Sequence, residues 1–262
     1  PLYGDLTRIT QALVFPSERR SPMKIPVSLL CALPVLFLGM MVAGIVSADT
    51  LELAGTWRFQ LDPENRGLEQ AWYGESLPGS GRLPGSLNEN GIGNDVSPET
   101  PWTGTITSRM WHDDARFAPY RELGNTKILF WLQPDKHYIG AAWYQRDIEI
   151  PESFKGKTVL VRLERCHWET QLWVDGQPVG TRNSLVVPHE YDVTAQLAPG
   201  PHTLTLRVDN TYAIEVGENA HSVSDNTQTN WNGVVGAMNI VSRDRIAIED
   251  IQVYPDVRAK VI

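Results

Sequence analysis

The sequence has 262 residues, of which 42% are hydrophobic and 21% charged, the profile of a soluble globular protein. Its formal net charge is −8, so nothing electrostatic points to nucleic acid or an anionic membrane as partner.

Residues 1–22 precede the first methionine and read as an upstream or non-native segment. Met23-Lys24 starts a short basic stretch, an apolar run follows from about Val27 to Val46, and Val46-Ser47-Ala48 supplies small residues where a signal peptidase cuts. Residues 23–48 are therefore expected to be a signal peptide helix, with Asp49 as the new N-terminus. The product would be exported to the periplasm or the exterior and would not stay on the membrane. The competing reading is an uncleaved anchor, because the run approaches the ~20 residues that span a bilayer. Pro26, Pro34, Gly39 and Gly44 weaken such a helix. Ser28-Leu29-Leu30 also lacks the small residues expected before a lipidated Cys31. After cleavage Cys166 is the one cysteine left, so no internal disulfide is expected. A domain of this length builds a sufficient core without one.

Trp57, Phe59 and Leu61 alternate with Thr56, Arg58 and Gln60, which predicts a first strand with an aromatic inner face. Asp62-Pro63 breaks it. Leu68 to Trp72 allows one helical turn. Leu77 to Pro101 is rich in Gly, Pro, Asn and Ser, which argues against a regular element. A loop this long is uncommon in a compact domain and often functional. Trp102 to Trp111 reads as extended, with Ile106 and Met110 as anchors, while His112 to Gly124 is ambiguous. A short apolar run covers Lys127 to Leu132. Ala141 to Ile150 alternates Trp143, Gln145, Asp147 and Glu149 on one face with Tyr144, Arg146, Ile148 and Ile150 on the other.

Thr158 to Asn210 holds three further runs. Val159, Val161 and Leu163 share a face, and Leu204, Leu206 and Val208 share another. Thr170 to Val174 ends at Asp175-Gly176, a strong hairpin signal because a tight primed turn needs positive φ. One-sided strands of this kind imply a sheet packed on a second sheet. Thr211 to Thr229 reads as a second long loop. Asn230 to Ile240 is a turn leading into a strand, and Arg245 to Tyr254 alternates once more. With no sustained helical period, the fold class expected is all-β: an antiparallel β-sandwich of the jelly-roll kind.

Gly55-Thr56-Trp57-Arg58-Phe59, Leu83-Pro84-Gly85-Ser86-Leu87, Ala142-Trp143-Tyr144-Gln145-Arg146 and Trp173-Val174-Asp175-Gly176-Gln177-Pro178-Val179-Gly180 resemble the N-terminal, galactose-binding-like jelly roll of glycoside hydrolase family 2. Tyr191-Asp192-Val193-Thr194 and Asn230-Trp231-Asn232-Gly233-Val234-Val235-Gly236 fit the same pattern. That family includes β-galactosidases, β-glucuronidases and β-mannosidases. At Gly236-Ala237 the sequence departs from the many members that carry an Arg after this turn. The resemblance implies a jelly roll over residues 49–256, with 257–262 opening a linker or an immunoglobulin-like domain. It further implies that the immunoglobulin-like domain and the catalytic TIM barrel, partners in the parent enzyme, lie outside this chain. The parent would hydrolyse β-O-glycosidic bonds with retention, and the fragment alone would be inactive. A free-standing carbohydrate-binding module without catalysis and a structural adhesion domain are the alternatives.

A retaining glycosidase needs two carboxyls about 5 Å apart. Asp113, Asp114, Glu122, Glu164 and Glu169 sit in no recognisable catalytic pattern. Cys166 and His167 adjoin on a strand and so point to opposite faces, which disfavours a nucleophile–base pair. His112-Asp113-Asp114 cannot readily converge on a metal. No catalytic residue, metal or cofactor is therefore assigned. Sugar contact is expected from the two long loops: Asn88, Asn90 and Asn94 in the first, and Asn230, Trp231 and Asn232 in the late turn. Amides both donate to and accept from hydroxyls, and an indole can face the C–H side of a pyranose. Trp102 and Trp111, near loops, are further aromatic candidates. Trp57, Trp143 and Trp173 belong to packing.

Overall fold

A computed structural model describes residues 49–100, 109–127, 134–213, 215–217, 220, 223, 230–248 and 251–254. The chain divides into two compact units, Pro1–Ile45 and Val46–Ile262, and every described residue belongs to the second. The expected signal peptide lies outside the described residues. Among those residues no helix is long and apolar enough to cross a membrane.

The strands are, in order, β1 (Asp49–Glu52), β2 (Gly55–Asp62), β3 (Gly79–Leu83), β4 (Gly85–Ser86) and β5 (Asn94–Asp95). Helix α1 (Arg109–Asp113) follows. Then come β6 (Lys136–His137), β7 (Ala141–Ile150), β8 (Thr158–Leu163), β9 (Cys166–His167) and β10 (Glu169–Val174). The last are β11 (Gln177–Arg182), β12 (His189–Asp192), β13 (Gly200–Asp209), β14 (Gly233–Val234) and β15 (Met238–Arg243).

Two antiparallel sheets carry the domain, one ordered β1-β15-β8-β12 and the other β11-β10-β13-β7-β2-β3. They share one core. Trp57, Tyr144, Leu172 and Leu206 enter it from the larger sheet, and Val161, Leu163, Tyr191 and Ile240 from the smaller. The result is the antiparallel β-sandwich expected. The stretch 158–210 builds both layers: β8 and β12 lie in the smaller sheet, β10, β11 and β13 in the larger. Asp175 and Gly176 take φ of 49° and 74°, so the tight turn forms as a primed one. The Leu83–Pro84 and His167–Trp168 peptide bonds are cis.

β7 follows its predicted bounds and splits its aromatic residues between two clusters. Tyr144 enters the main core, whereas Trp143 joins Leu77 and Trp173 in a second cluster on the outer face.

Three expectations are corrected. Leu77 to Pro101 is not wholly irregular, because β3 pairs with β2 along Gly55–Phe59. Glycine permits this approach: a Cβ on Gly79 would stand 2.8 Å from the Phe59 carbonyl oxygen. The extended segment ending at Trp111 is helical in α1 over its last residues, while 101–108 lie outside the described residues. Trp111 is buried and donates from Nε1 to the Lys127 carbonyl at 2.9 Å, a contact that turns its chain inward. Asp114 then caps a 3-10 helix over Ala115–Arg121 by accepting from Arg116 N. Arg245 to Tyr254 forms no strand among its described residues, and Ile246 and Ile248 are 94% and 80% exposed. Alternation marks a strand only where a sheet stands beside it, and the smaller sheet closes on β1 and β12. Most of 128–133 and 211–229, including the apolar run after Lys127 and much of the second loop, lies outside the described residues.

The outer face of the larger sheet also carries a bidentate pair. Arg58 donates from both terminal nitrogens to Asp147 at 2.7 and 2.8 Å. The hydrogen bond from Arg58, then that from Thr203, holds the Asp147 carboxyl down at about 2, against 3.8 ordinarily. A lowered carboxyl pKa stabilises the fold above pH 3.8, and that contribution fades as pH falls through about 2. NMR titration of Asp147 is expected to show a midpoint near 2, moving up towards 3.8 in Arg58→Gln. An unmoved midpoint would assign the shift elsewhere.

Candidate carbohydrate-binding site

A small third sheet, β4-β14-β9, forms beside the sandwich. Its central strand β14 pairs Gly233 with Ser86 on one side and with His167 on the other. Leu87 N also donates to the Asn232 carbonyl at 2.9 Å. These bonds bring the first long loop against the late turn, 140 and more residues apart in sequence.

The juncture is a groove of about 490 Å³. One side is the turn after β4. There Ser86 N donates to Glu89 Oε2 at 2.7 Å, and Glu89 N donates to Ser86 Oγ at 3.1 Å. This reciprocal S-x-x-E arrangement is a capping box without a long helix after it. Residues 134–138 close the groove, and Asn230, Trp231, Asn232 and Val235 form its far side.

Four of the six expected sugar contacts line this groove: Asn88, Asn230, Trp231 and Asn232. Asn88 Oδ1 accepts from Lys136 N at 2.9 Å, which ties the first loop to β6. Asn230 exchanges hydrogen bonds with Asn210, through Oδ1 at 3.1 Å and Nδ2 at 3.3 Å. Trp231 is half-buried, its ring centroid 4.8 Å from that of His167, whose Nδ1 also meets the Trp231 carbonyl. Asn232 is buried and donates from Nδ2 to the carbonyls of Gly140 and Val208 at 2.9 and 3.1 Å. Its Oδ1 has no hydrogen-bond partner among the described residues. The other two stand apart. Asn90 bonds the backbone, accepting from Arg82 N at 2.7 Å and donating to the Ser86 carbonyl at 2.8 Å. Asn94 is exposed in β5, opposite His137.

Asn210 was not singled out from the sequence, yet it organises the late turn. It is fully buried, accepts from Gly140 N at 2.9 Å and donates to the Tyr138 carbonyl at 2.9 Å. Lys136 and Tyr138 were also missed, since they fall in a stretch without periodicity. Tyr138 donates to the Ala141 carbonyl at 2.6 Å, and burial holds its phenol protonated well above the usual tyrosine range. The pattern Ser86-x-x-Glu89 was the readable sign of an ordered turn there.

The groove offers amides, one indole and one ammonium, which suit hydroxyl-rich ligands. Its lining includes one carboxylate, Glu89, already committed to Ser86. Three of the other acids weighed from the sequence are bound elsewhere: Glu164 accepts from Ala237 N, Glu169 lies 3.7 Å from Arg207, and Asp114 caps its helix. Cys166 is buried, and burial pushes its thiol up, away from thiolate chemistry. Among the described residues no three metal-ligating side chains gather.

Residues 125–242 match the family model described as glycosyl hydrolases family 2, sugar binding domain. This part of the chain resembles a family 2 sugar-binding domain. The match takes in β6 to β15 and the far side of the groove, while the Ser86–Ile92 side precedes it. The domain is similar to part of the β-glucuronidase of Paenibacillus borealis, 24% identical over 167 residues, which covers 63% of this chain and 22% of that protein. The β-galactosidase large subunit of Leuconostoc lactis is 22% identical over 209 residues, covering 78% of this chain and 31% of that one. A solved β-glucuronidase from Ruminococcus gnavus, in complex with uronic isofagomine, shares the sandwich at a TM-score of 0.50. It is 16% identical, covering 75% of this chain and 29% of that one. The chain thus spans between about a fifth and a third of these relatives.

Proposed function

We propose that this domain is the N-terminal carbohydrate-binding and scaffold portion of an exported family 2 glycoside hydrolase that cleaves β-O-glycosidic bonds with retention. The observation that carries this reading is the groove between the two loops, where Asn88, Asn230, Trp231 and Asn232 converge. Its side chains recognise hydroxyls and present no pair of carboxyls, so the domain binds and the parent's barrel cleaves. The names of the relatives support a β-glucuronide or β-galactoside as the sugar.

The test is calorimetric titration of the purified chain with methyl β-D-glucuronide and methyl β-D-galactoside. One of them is expected to bind with a Kd on the order of millimolar, weakened about tenfold in Trp231→Ala. The same chain is expected to release no chromophore from nitrophenyl β-glycosides. Failure of both sugars to bind, or turnover by the chain alone, would overturn the reading.

A further inference from the structure

The outer face of the larger sheet holds a second groove, well apart in composition from the first. Arg58 on β2, Gln145 on β7, Thr205 on β13 and Trp173 on β10 stand opposite one another across four paired strands. The Tyr73 ring stacks on Trp173 with centroids 5.3 Å apart and planes 5° apart. Between this aromatic step and the Asp175–Gly176 turn lies a groove of about 400 Å³, lined by Arg58, Tyr73, Glu75, Gln145, Asp175 and Thr203 among others. It shares no lining residue with the first groove. Gly176 holds the turn beside the groove at φ +74°, a conformation that favours glycine.

The polar side chains of this groove are fixed before any ligand arrives. Arg58 Nε donates to Gln145 Oε1 at 2.8 Å, and Gln145 Nε2 donates to the Glu75 carbonyl at 2.9 Å. Asp175 Oδ1 accepts from Thr203 N at 2.7 Å, and its Oδ2 meets His202 Nδ1 at 2.6 Å. Groups already ordered lose little entropy on binding. They are also not used up. A guanidinium has five N–H donors, of which Arg58 commits three to Gln145 and Asp147. The Asp175 side chain is 48% exposed. An aromatic wall beside fixed donors and acceptors matches a pyranose, which presents an apolar C–H face and hydroxyls that donate and accept. Charge selects among sugars: Asp147, Asp175 and Glu75 outweigh Arg58, so a carboxylated sugar is repelled.

We propose that this groove is a second carbohydrate site, which takes a neutral oligosaccharide and anchors the protein to it independently of the first groove.

The experiment is calorimetry and tryptophan fluorescence on the purified chain with cellotetraose, mannotetraose and galactotetraose, and with tetragalacturonate as the acidic probe. At least one neutral probe is expected to bind with a Kd on the order of millimolar and to change indole emission, with tetragalacturonate about tenfold weaker. Tyr73→Ala is expected to weaken binding about tenfold and Tyr73→Phe to preserve it, with folding checked by circular dichroism. Asp175→Asn keeps the left-handed turn and is expected to narrow the neutral-over-acidic preference about threefold. Absence of neutral binding overturns the proposal, as does an unchanged preference in Asp175→Asn. Binding lost in Trp231→Ala but kept in Tyr73→Ala would place the sugar in the first groove and overturn it as well.

Discussion

Trp143→Ala is expected to lower the stability of the folded domain by about 3–5 kcal/mol, read as a fall in the urea midpoint at unchanged slope. The side chain is fully buried on β7, its ring centroid 5.1 Å from Trp173 and 6.1 Å from Trp72. Truncation opens a cavity that two neighbouring indoles cannot collapse into without leaving their own contacts. It also removes a hydrogen bond. Trp143 Nε1 donates to Asp62 Oδ2 at 3.0 Å, and the same carboxylate accepts from Arg66 N and Gly67 N at 2.7 and 2.9 Å. Asp62 is itself buried, so each lost donor leaves the charge less compensated. The backbone of 66–67 fits tightly over the indole: a Cβ on Gly67 would lie 2.6 Å from Trp143 Nε1. The loss should therefore spread to the chain leading into Trp72 and Tyr73. Trp143→Phe keeps most of the apolar area and forfeits the hydrogen bond, so its expected loss is smaller, about 1–3 kcal/mol. A Trp143→Ala variant within about 1 kcal/mol of the parent would show that the outer cluster is peripheral to folding.

The same residue shows what the sequence could and could not say. Alternation along Ala141–Ile150 placed Trp143 and Tyr144 on opposite faces, and the Asp175-Gly176 turn was legible because few dipeptides tolerate two positive φ values in a row. Neither signal says that both faces of β7 are buried over Ala141–Gln145, because burial of the outer face there depends on residues 63–78, which carry no period. β3 escaped notice for a related reason. Gly79 is there because the Phe59 carbonyl leaves no room for a side chain, a contact between strands twenty residues apart. Arg245–Tyr254 is the converse: a clear alternation with no sheet beside it among the described residues. At the groove, amide-rich turns were legible as candidates. Their convergence was not, because it rests on Asn210, whose four side-chain bonds reach Tyr138, Gly140, Asn230 and Asn232 across the fold. Asn90 illustrates the ambiguity of such residues. Its amide looks as suitable for a sugar as that of Asn88, yet three hydrogen bonds bind it to backbone.

Gly233→Ala is expected to abolish sugar binding in the first groove, with at least a tenfold loss of affinity, and to lower stability by about 2–4 kcal/mol. Gly233 sits at φ +143°, a conformation strained for any residue with a side chain. The strain is the smaller part. An added Cβ would stand 2.4 Å from the Gly85 carbonyl oxygen and 3.0 Å from Ser86 Cα, both backbone atoms of the paired strand. β14 must then part from β4. Asn232 moves with it, since its carbonyl accepts from Leu87 N, and so does Trp231 on the His167 side. The two walls of the groove would separate while the sandwich, held by its own core, stays folded. Val234→Ala is the control. Val234 is equally buried and paired to the same strands, but its loss creates a cavity without strain or clash. Both variants should unfold more readily than the parent, and only Gly233→Ala should lose the ligand. Equal binding by the two would mean that the groove does not depend on the β4–β14 register, and that sugar contact lies elsewhere on the domain.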